Sequence, residues 1–442
     1  MTTTVVPGAL ATAGSHRSLR NATVGNVLEW YDWNVYAIFT PFFAPRIFNS
    51  HDAAGALVQS LMVFAVGFLT RPLGGLVLGR WGDRFGRRAA LTLSMLLMAA
   101  GSLLIALCPT YSAAGWLAPV TILVARLAQG LSAGGEFAAS SAYVVEIAPP
   151  GRKGLYSSVI YVSNALGNLL AALLGVVLTR ALAPEQMNTW GWRVPFLLGA
   201  GLAGYAFVLR RRMIETHLTG PSPAEADQER HTSVRKALLS RPGALWKVVG
   251  YTLAGTIVYY TWVVFLPSYA AADGHITRSS ALITTTVAQV LFIGVLPLTG
   301  MLADRIGTKP LLLTFATAFA VLTVPLLALA PKSFTWLLAV ECVGLILFSG
   351  YGAIAPLIMA EQFPPGSRAT GIGIPYGLTV SVFGGTAPYL AAAAANAGHA
   401  ALYSAYVALA SVASLGFFTR IRRRRTTAPA AGSPKDAVGE SR

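Results

Sequence analysis

Apolar runs of about 18 or more residues recur twelve times along this chain, where one would suffice for a membrane span, since about 20 helical residues cross about 30 Å of hydrocarbon. They fall at 21–43, 55–78, 89–108, 115–143, 154–179 and 192–209, and again at 246–269, 279–302, 310–330, 334–359, 369–395 and 401–419. A backbone in lipid must satisfy its own hydrogen bonds, so only helices or closed barrels span a bilayer, and these runs lack the period-two alternation of barrel strands. The expected fold is therefore an all-α integral membrane protein of twelve transmembrane helices in two six-helix halves. Composition agrees: of 442 residues, 55% are hydrophobic and 11% charged, far from the balance of a soluble globular chain.

Basic residues collect in short loops on the cytoplasmic face of a membrane. With the N-terminus inside, the cytoplasmic segments take most of the 33 Lys and Arg, including Arg84, Arg87, Arg88, Arg152, Lys153, Arg305, Lys309 and the run 422–425. The outer segments take Arg46, Arg180, Arg193, Arg278 and Lys332, and Arg71 and Arg126 fall inside spans. Both termini are expected to be cytoplasmic, in the inner (cytoplasmic) cell membrane. The net charge of +16 is this topological signal spread over the inner loops, so no nucleic-acid partner is expected, while the basic run 422–425 can meet anionic membrane lipid. Cys108 and Cys342 lie far apart, with no CxxC or Cys/His cluster, so neither a disulfide framework nor a metal site is expected, and no cofactor. The first 20 residues lack the pattern of a cleavable signal peptide.

Internal repetition appears twice. GRWGDRFGRR at 79–88, between spans two and three, matches GMLADRIGTK at 300–309, between spans eight and nine. EIAPPGRKG at 146–154 matches EQFPPGSRA at 361–369, after spans four and ten. Each pair is separated by about half the chain, the mark of a duplicated transporter with its site between the halves. The domains are then a tail at 1–20, a first half at 21–210, a polar cytoplasmic linker at 211–245, a second half at 246–419 and a basic tail at 420–442. The linker holds no nucleophile, metal-ligand or phosphate-loop pattern, so the chain is not expected to be an enzyme.

Charge inside the membrane marks the candidate site, because each ionised side chain at a helix centre costs roughly 2.5 to 3.5 kcal/mol on insertion scales. Glu29 and Asp32 in span one, Arg71 in span two, Arg126 and Glu136 in span four and Glu341 in span ten are the candidates. Facing lipid they would together cost roughly 15 to 20 kcal/mol, more than a typical domain's net stability, so they must face a wet cavity or one another. Glu29 and Asp32 share a helix face and repel when both are ionised; the pair is expected to carry a proton, against the alternative of helix-interface hydrogen bonding. Arg126 stays charged and grips a carboxylate through two parallel hydrogen bonds, so it binds either an anionic substrate or one of the two acids. Gln129 and Glu136 are seven residues apart on one face of span four. Tyr36, Tyr259 and Tyr260 are candidate substrate contacts, Arg71 serves substrate or structure, and Trp190 and Trp192 are expected to anchor an outer interface. In the first loop motif Gly79 and Gly86 permit a tight turn while Asp83, Arg84, Arg87 and Arg88 supply charge. Glu146 is expected either to pair with Arg87 or to leave these charges as simple topology anchors, and Asp304 and Arg305 repeat the Asp-Arg pair in the second half.

With two sixes, a central loop and these paired motifs, the chain resembles the major facilitator superfamily. Within it, GNVLEWYD at 25–32, FLTRPLGG at 68–75, ARLAQGLSAGGEFA at 125–138, EIAPPGRKG and WGWRVPF at 190–196 resemble the metabolite:proton symporter family. YYTWVVFLPSY at 259–269 and EQFPPGSRATGIG at 361–373 are most similar to its 2-oxoglutarate permease branch. The resemblance implies that spans one, four, seven and ten line a central path, that Arg126 takes part in proton coupling with Glu29, Asp32 and Glu136, and that Asp83 helps lock the halves together on the cytoplasmic side. The second loop departs from the first, with Thr308 and Lys309 where Arg87 and Arg88 stand, and Glu341 matches no family position. The implied function is proton-coupled uptake of a small organic anion, a dicarboxylate such as 2-oxoglutarate, with protons and membrane lipid as the other partners and a monomer as the unit. The alternatives are a proton symporter of a zwitterionic osmolyte such as proline or betaine, whose family type carries a coiled-coil tail where 426–442 has no heptads, and a drug-exporting antiporter, which would not need two buried arginines.

Overall fold

The computed structural model describes residues 7–49, 52–74, 77–78, 87–134, 136–211, 242–272, 276–363 and 368–421. Among them the chain makes twelve helical passes and no strand. The first six are α1 (Pro7–Ile47), α2 (Ala53–Leu69), α3 (Arg87–Ala106), α4 (Leu117–Ala133, continued as Glu136–Ile147), α5 (Lys153–Ala181) and α6 (Val194–Arg211). The second six are α7 (Pro242–Tyr259, a π-helical turn Tyr260–Phe265, then Leu266–Ala272), α8 (Arg278–Ile306), α9 (Thr308–Leu329), α10 (Phe334–Gly352, continued as Ala355–Ala360), α11 (Arg368–Thr379, a π-helical turn Val380–Gly384, then Gly385–Asn396) and α12 (Ala400–Thr419). Among the described residues eight helices are long and apolar enough to cross a membrane by composition alone. α1 falls short because its middle carries Asn26, Glu29, Asp32 and Asn34, and α4 because it is interrupted after Ala133.

Two boundaries differ from expectation. α1 already begins at Pro7, inside the predicted tail, and α7 begins at Pro242, inside the predicted linker. Residues 212–241 and 422–442, with most of the linker and the basic tail, lie outside the described residues. Local sequence sets several starts: Asp52 accepts from the Gly55 amide (2.6 Å), Thr277 from Ser280 (3.2 Å) and Ser333 from Trp336 (3.2 Å), each satisfying a donor of the first turn of α2, α8 and α10. Between α8 and α9 the chain reverses at Gly307, whose φ of 87° is open to glycine at little cost.

Side chains such as Val321, Leu402 and Leu409 stay exposed on the outer faces of α9 and α12, as lipid as solvent permits. The helices pack inward as α1 on α5, α3 on α6, α9 on α12 and α8 on α10, while α5 on α8 joins the halves. Trp192 corrects an expectation. It is fully buried against Phe43 and Phe196, with the Arg193 guanidinium 4.2 Å from its ring, so it is a core residue; Trp190 beside it is exposed. The indole is large and apolar enough to be taken inside wherever α1 and α6 leave room, which sequence position alone does not reveal.

Candidate functional site

The site is built on a close crossing of α2 and α4. A Cβ at Gly130 would lie 2.0 Å from both the Gly67 carbonyl and Thr70 Oγ1, so only hydrogen at this position allows the approach. That approach carries Arg71, in the helical run Ala53–Gly74, and Arg126 of α4 to one side chain of α1. The two guanidinium carbons stand 4.2 and 3.9 Å from the centroid of the Trp33 ring. Phe68 adds a second face to Arg71 at 4.2 Å, and Tyr36 and Phe64 add faces to Arg126 at 4.4 and 5.0 Å.

Both cations are buried, Arg126 completely. A desolvated cation–π contact returns about 2 kcal/mol, less than the several kcal/mol that burying a charge costs, so aromatic faces alone do not satisfy them. Arg71 Nη2 stands 3.8 Å from Glu29 Oε1, longer than the roughly 2.7–2.9 Å of a charge-assisted hydrogen bond. Arg126 donates through Nη1 to Gln129 Oε1 at 2.8 Å, while its Nε and Nη2 have no hydrogen-bond partner; the same holds for Nε and Nη2 of Arg71. Two adjacent cations with spare donors have the chemistry to receive negative charge.

Asp32 is tied into a chain of bonds. Gln129 Nε2 donates to Ser102 Oγ (3.2 Å), and Ser102 donates to Asp32 Oδ1, so the series Arg126, Gln129, Ser102, Asp32 connects a cation to an acid through two neutral side chains. Gly101 makes room for it: a Cβ there would meet Gln129 Cγ at 2.6 Å.

The structure therefore brings Glu29, Asp32, Arg71, Arg126, Gln129 and Tyr36 to one region. Among the described residues the ion pair at this site is Arg71 with Glu29, while Arg126, left by sequence analysis to an anionic substrate or one of the two acids, donates to Gln129. Tyr36 offers Arg126 only its ring, since its hydroxyl is bonded to Ser60 O and Oγ at 3.0 and 2.9 Å. Tyr260 packs edge-on to Phe68 (5.2 Å), whereas Tyr259 belongs to a neighbouring aromatic group with Trp30 (5.3 Å), Tyr161 and Phe348. The side chain of Glu136 lies outside the described residues. Sequence analysis missed Trp33, the residue after Asp32, and Ser102, whose single signal is a hydroxyl inside an apolar run. It also missed the π-helical turns of α7 and α11, the second bonded to α2 through Ser381 Oγ and Phe68 O at 2.7 Å.

A second constellation lies at the end of the bundle that carries the repeated motifs. Asp304 of α8 accepts from the amides of Gly154 (2.7 Å) and Leu155 (3.0 Å), so a carboxylate from one half caps the first turn of α5 in the other. Gly154 and Gly300 permit it: a Cβ on either would come 2.5 or 2.7 Å from the other's carbonyl oxygen. Glu146 pairs with Arg368 at 3.2 Å, and Phe137 stacks on Tyr376 at 4.0 Å, again across the halves. The expected partner of Glu146 was Arg87; its side chain and that of Arg88 lie outside the described residues, as do Gly79, Asp83, Arg84 and Gly86 entirely. Arg305 is exposed beside Asp304, and Lys309 donates to the Thr419 carbonyl at 2.5 Å, closing the C-terminus of α12 within its own half.

At the opposite end a cavity of about 320 Å³ separates the halves, lined among others by Phe42, Pro45, Ser268, Arg278 and Thr285. Ile38 reaches it from α1, six residues from Asp32, or about 9 Å along the helix. Among the described residues no group of three His, Cys, Asp or Glu converges on a point that would hold a metal ion.

Comparison with known proteins gives one pattern. A model of the Major Facilitator Superfamily matches residues 22–388. The alpha-ketoglutarate permease of Escherichia coli (strain K12) is 37% identical over 393 residues, covering 88% of this chain and 90% of that one. The citrate-proton symporter of Klebsiella pneumoniae is 34% identical over 87% of each chain, and the proline/betaine transporter of Escherichia coli (strain K12) is 27% identical over 93% of this chain and 83% of its own. Among solved structures, the xylose transporter XylE from E. coli in a partially occluded inward open conformation aligns with a TM-score of 0.70 at 20% identity, covering 91% of this chain and 97% of that one, a likeness of fold.

Proposed function

The chain belongs to the major facilitator superfamily, a family of transporters and not of enzymes, and on that premise we propose that it takes up a small organic dianion of the 2-oxoglutarate class together with protons, by alternating access between its halves. The observation that carries this reading is the pair of buried guanidiniums on Trp33 with spare donors on both. A dicarboxylate brings two negative ends to two such forks, which a zwitterion with one carboxylate does not. The names of the relatives, a permease for alpha-ketoglutarate and symporters for citrate, point to the same chemical class.

The proposed coupling begins at the acids. While ionised, Glu29 holds Arg71 electrostatically, and Asp32 holds Arg126 through Ser102 and Gln129. A proton on this pair removes the competing charge and leaves both forks for the substrate, so substrate and proton bind with positive linkage. Deprotonation toward the other side restores the competition and expels the anion.

The proposed orientation puts both termini and the motif end in the cytoplasm, supported by the partition of basic residues. The cytoplasmic latch is then Asp304 on α5, Glu146 with Arg368, and, in the first loop, Asp83. With the contacts of Asp304 and of Glu146 made and the cavity at the opposite end, the molecule is closed inside and entered from outside. Uptake of a panel of labelled solutes into proteoliposomes of the purified protein tests the assignment. Accumulation of 2-oxoglutarate under an inward proton gradient is expected; transport of betaine or proline with no carboxylate transport overturns it.

A further inference from the structure

One buried acid takes no part in that scheme. Glu341 of α10 is 2% exposed, and its Oε1 accepts from Thr285 Oγ1 of α8 at 2.9 Å while Oε2 has no hydrogen-bond partner. Among the described residues no Lys, Arg or His makes an ion pair with it. Beside it on α10 stands Cys342. On α8, Arg278 lies two turns nearer the outer end, with Phe42 below its guanidinium at 5.2 Å. The charged residues of α7 and α9, Lys247 and Lys309, are at the far ends of those helices, Lys332 stands in the turn between α9 and α10, and the titratable groups of α7 nearer the middle are the phenols of Tyr251, Tyr259, Tyr260 and Tyr269.

An ionised carboxylate in such surroundings has no counter-charge, so in this conformation the group is stable only with a proton on it. A permanently neutral hydrogen-bonding group at this position needs no acid, since glutamine supplies the same acceptor. What distinguishes the position is access. Thr285 is among the residues that line the outer cavity, so the residue bonded to Glu341 also borders the space that meets the outside. Toward the motif end, the α8–α10 seam is filled by Phe292 and Leu296, with Phe292 against Phe348 at 5.8 Å, before polar contact resumes at Thr299 with Ser349 (2.9 Å). The acid sits on the outer side of an apolar plug.

We propose that Glu341 is a second proton-binding site, loaded from the outer cavity through Thr285, so that each cycle carries one proton in the second half in addition to the proton on Glu29 and Asp32. The site binds only a proton: carboxylate and proton give carboxylic acid outside, and the reverse occurs when the α8–α10 seam wets from the cytoplasmic side. This rests on the transport reading above.

The test uses the full-length protein in proteoliposomes, with 2-oxoglutarate as probe and potassium–valinomycin to set the voltage. The reversal potential of substrate flux gives the number of protons per substrate. Glu341→Gln is expected to transport with one proton fewer, which at a pH gradient of one unit lowers the accumulation limit by about tenfold. A transporting Gln variant with unchanged coupling overturns the proposal. Should that variant fail to assemble, infrared spectra of a Glu29→Gln, Asp32→Asn double variant at neutral pH decide: a remaining protonated carboxyl band is expected, and its absence overturns the proposal. The infrared result does not depend on the substrate, so failure of 2-oxoglutarate uptake by the unmodified protein counts against the transport reading alone.

Discussion

In the first half, α1, α2 and α4 bury four charges, Glu29, Asp32, Arg71 and Arg126, the two arginines on a single indole; in the second, among the described residues, one acid, Glu341, is the only buried charge, and α7 and α11 are instead interrupted by π-helical turns. Buried charges tied by hydrogen bonds hold a fixed geometry, because moving one leaves another unsatisfied at a cost of several kcal/mol. A π turn is a local irregularity in the backbone ladder, frequent at functional sites. On the reading proposed above, the duplicated halves divide the work: one is an electrostatic platform, and the other holds the adaptable helices that close on it. Gly385 of α11 shows how closely the two halves approach, since a Cβ there would lie 2.6 Å from Phe68 Cβ and 3.2 Å from the Ala65 carbonyl of α2.

The strongest way to break the comparison is to keep the platform's charge and remove its shape. Arg126→Lys retains the cation but loses the fork that serves Gln129 and the substrate together, and uptake is expected to fall about 100-fold, roughly 3 kcal/mol. Initial rates in proteoliposomes measure it; near-native uptake would mean that charge alone suffices. Next in size is the coupling. The Glu29→Gln, Asp32→Asn double variant is expected to exchange labelled for unlabelled substrate but to reach an internal-to-external ratio near one under a proton gradient. Continued concentration would remove these acids from proton coupling.

A smaller effect is expected at the contact between the halves. Asp304→Asn keeps the shape of the cap on α5 but removes its charge against the helix N-terminus, worth about 0.3–1 kcal/mol, so transport should slow about two- to fivefold while substrate affinity in equilibrium binding stays within twofold. An equal loss in both would place Asp304 in the binding site. If Asp83 is its counterpart, Asp83→Asn behaves alike.

The difference between the halves also explains what the sequence discloses. Twelve passes, the two repeats and the four charges of the first half are legible because lipid penalises charge so heavily that each intramembrane Arg, Asp or Glu stands out. The partnership of those charges is not legible, since Arg71 meets Glu29 only through the packing of α2 on α1, in helices whose contacts are not encoded by spacing. Trp192 was placed at an interface for the same reason: burial of an indole is decided by neighbours from α1 and α6. The π turns leave no mark in YYTWVVF or VSVFG, whose composition suits an ordinary helix. Glu341 was visible as a charge, but its tie to the outer cavity depends on Thr285, fifty-six positions away.

The least effect, and the sharpest distinction, is expected at Ser102. Its hydroxyl accepts from Gln129 and donates to Asp32, so it joins the acid to the arginine without contacting either cation. Ser102→Ala leaves all four charges in place but cuts the series in the middle, and one hydrogen bond of this kind contributes about 0.5–1.5 kcal/mol. If protonation of Asp32 reaches Arg126 by this route, substrate affinity at acidic pH should change little, while its decline toward alkaline pH should become shallower, by about threefold at the extreme. Thr285→Val supplies the control from the second half: it removes a hydroxyl bonded to a buried acid there, and because that acid touches no arginine, the pH dependence of substrate affinity should keep its native slope. Isothermal titration across pH 5.5 to 8.5, a span chosen to cover roughly the physiological range, reads both. Equal flattening in the two variants would mean that proton and substrate communicate through the whole bundle, and the platform would then not be confined to the first half.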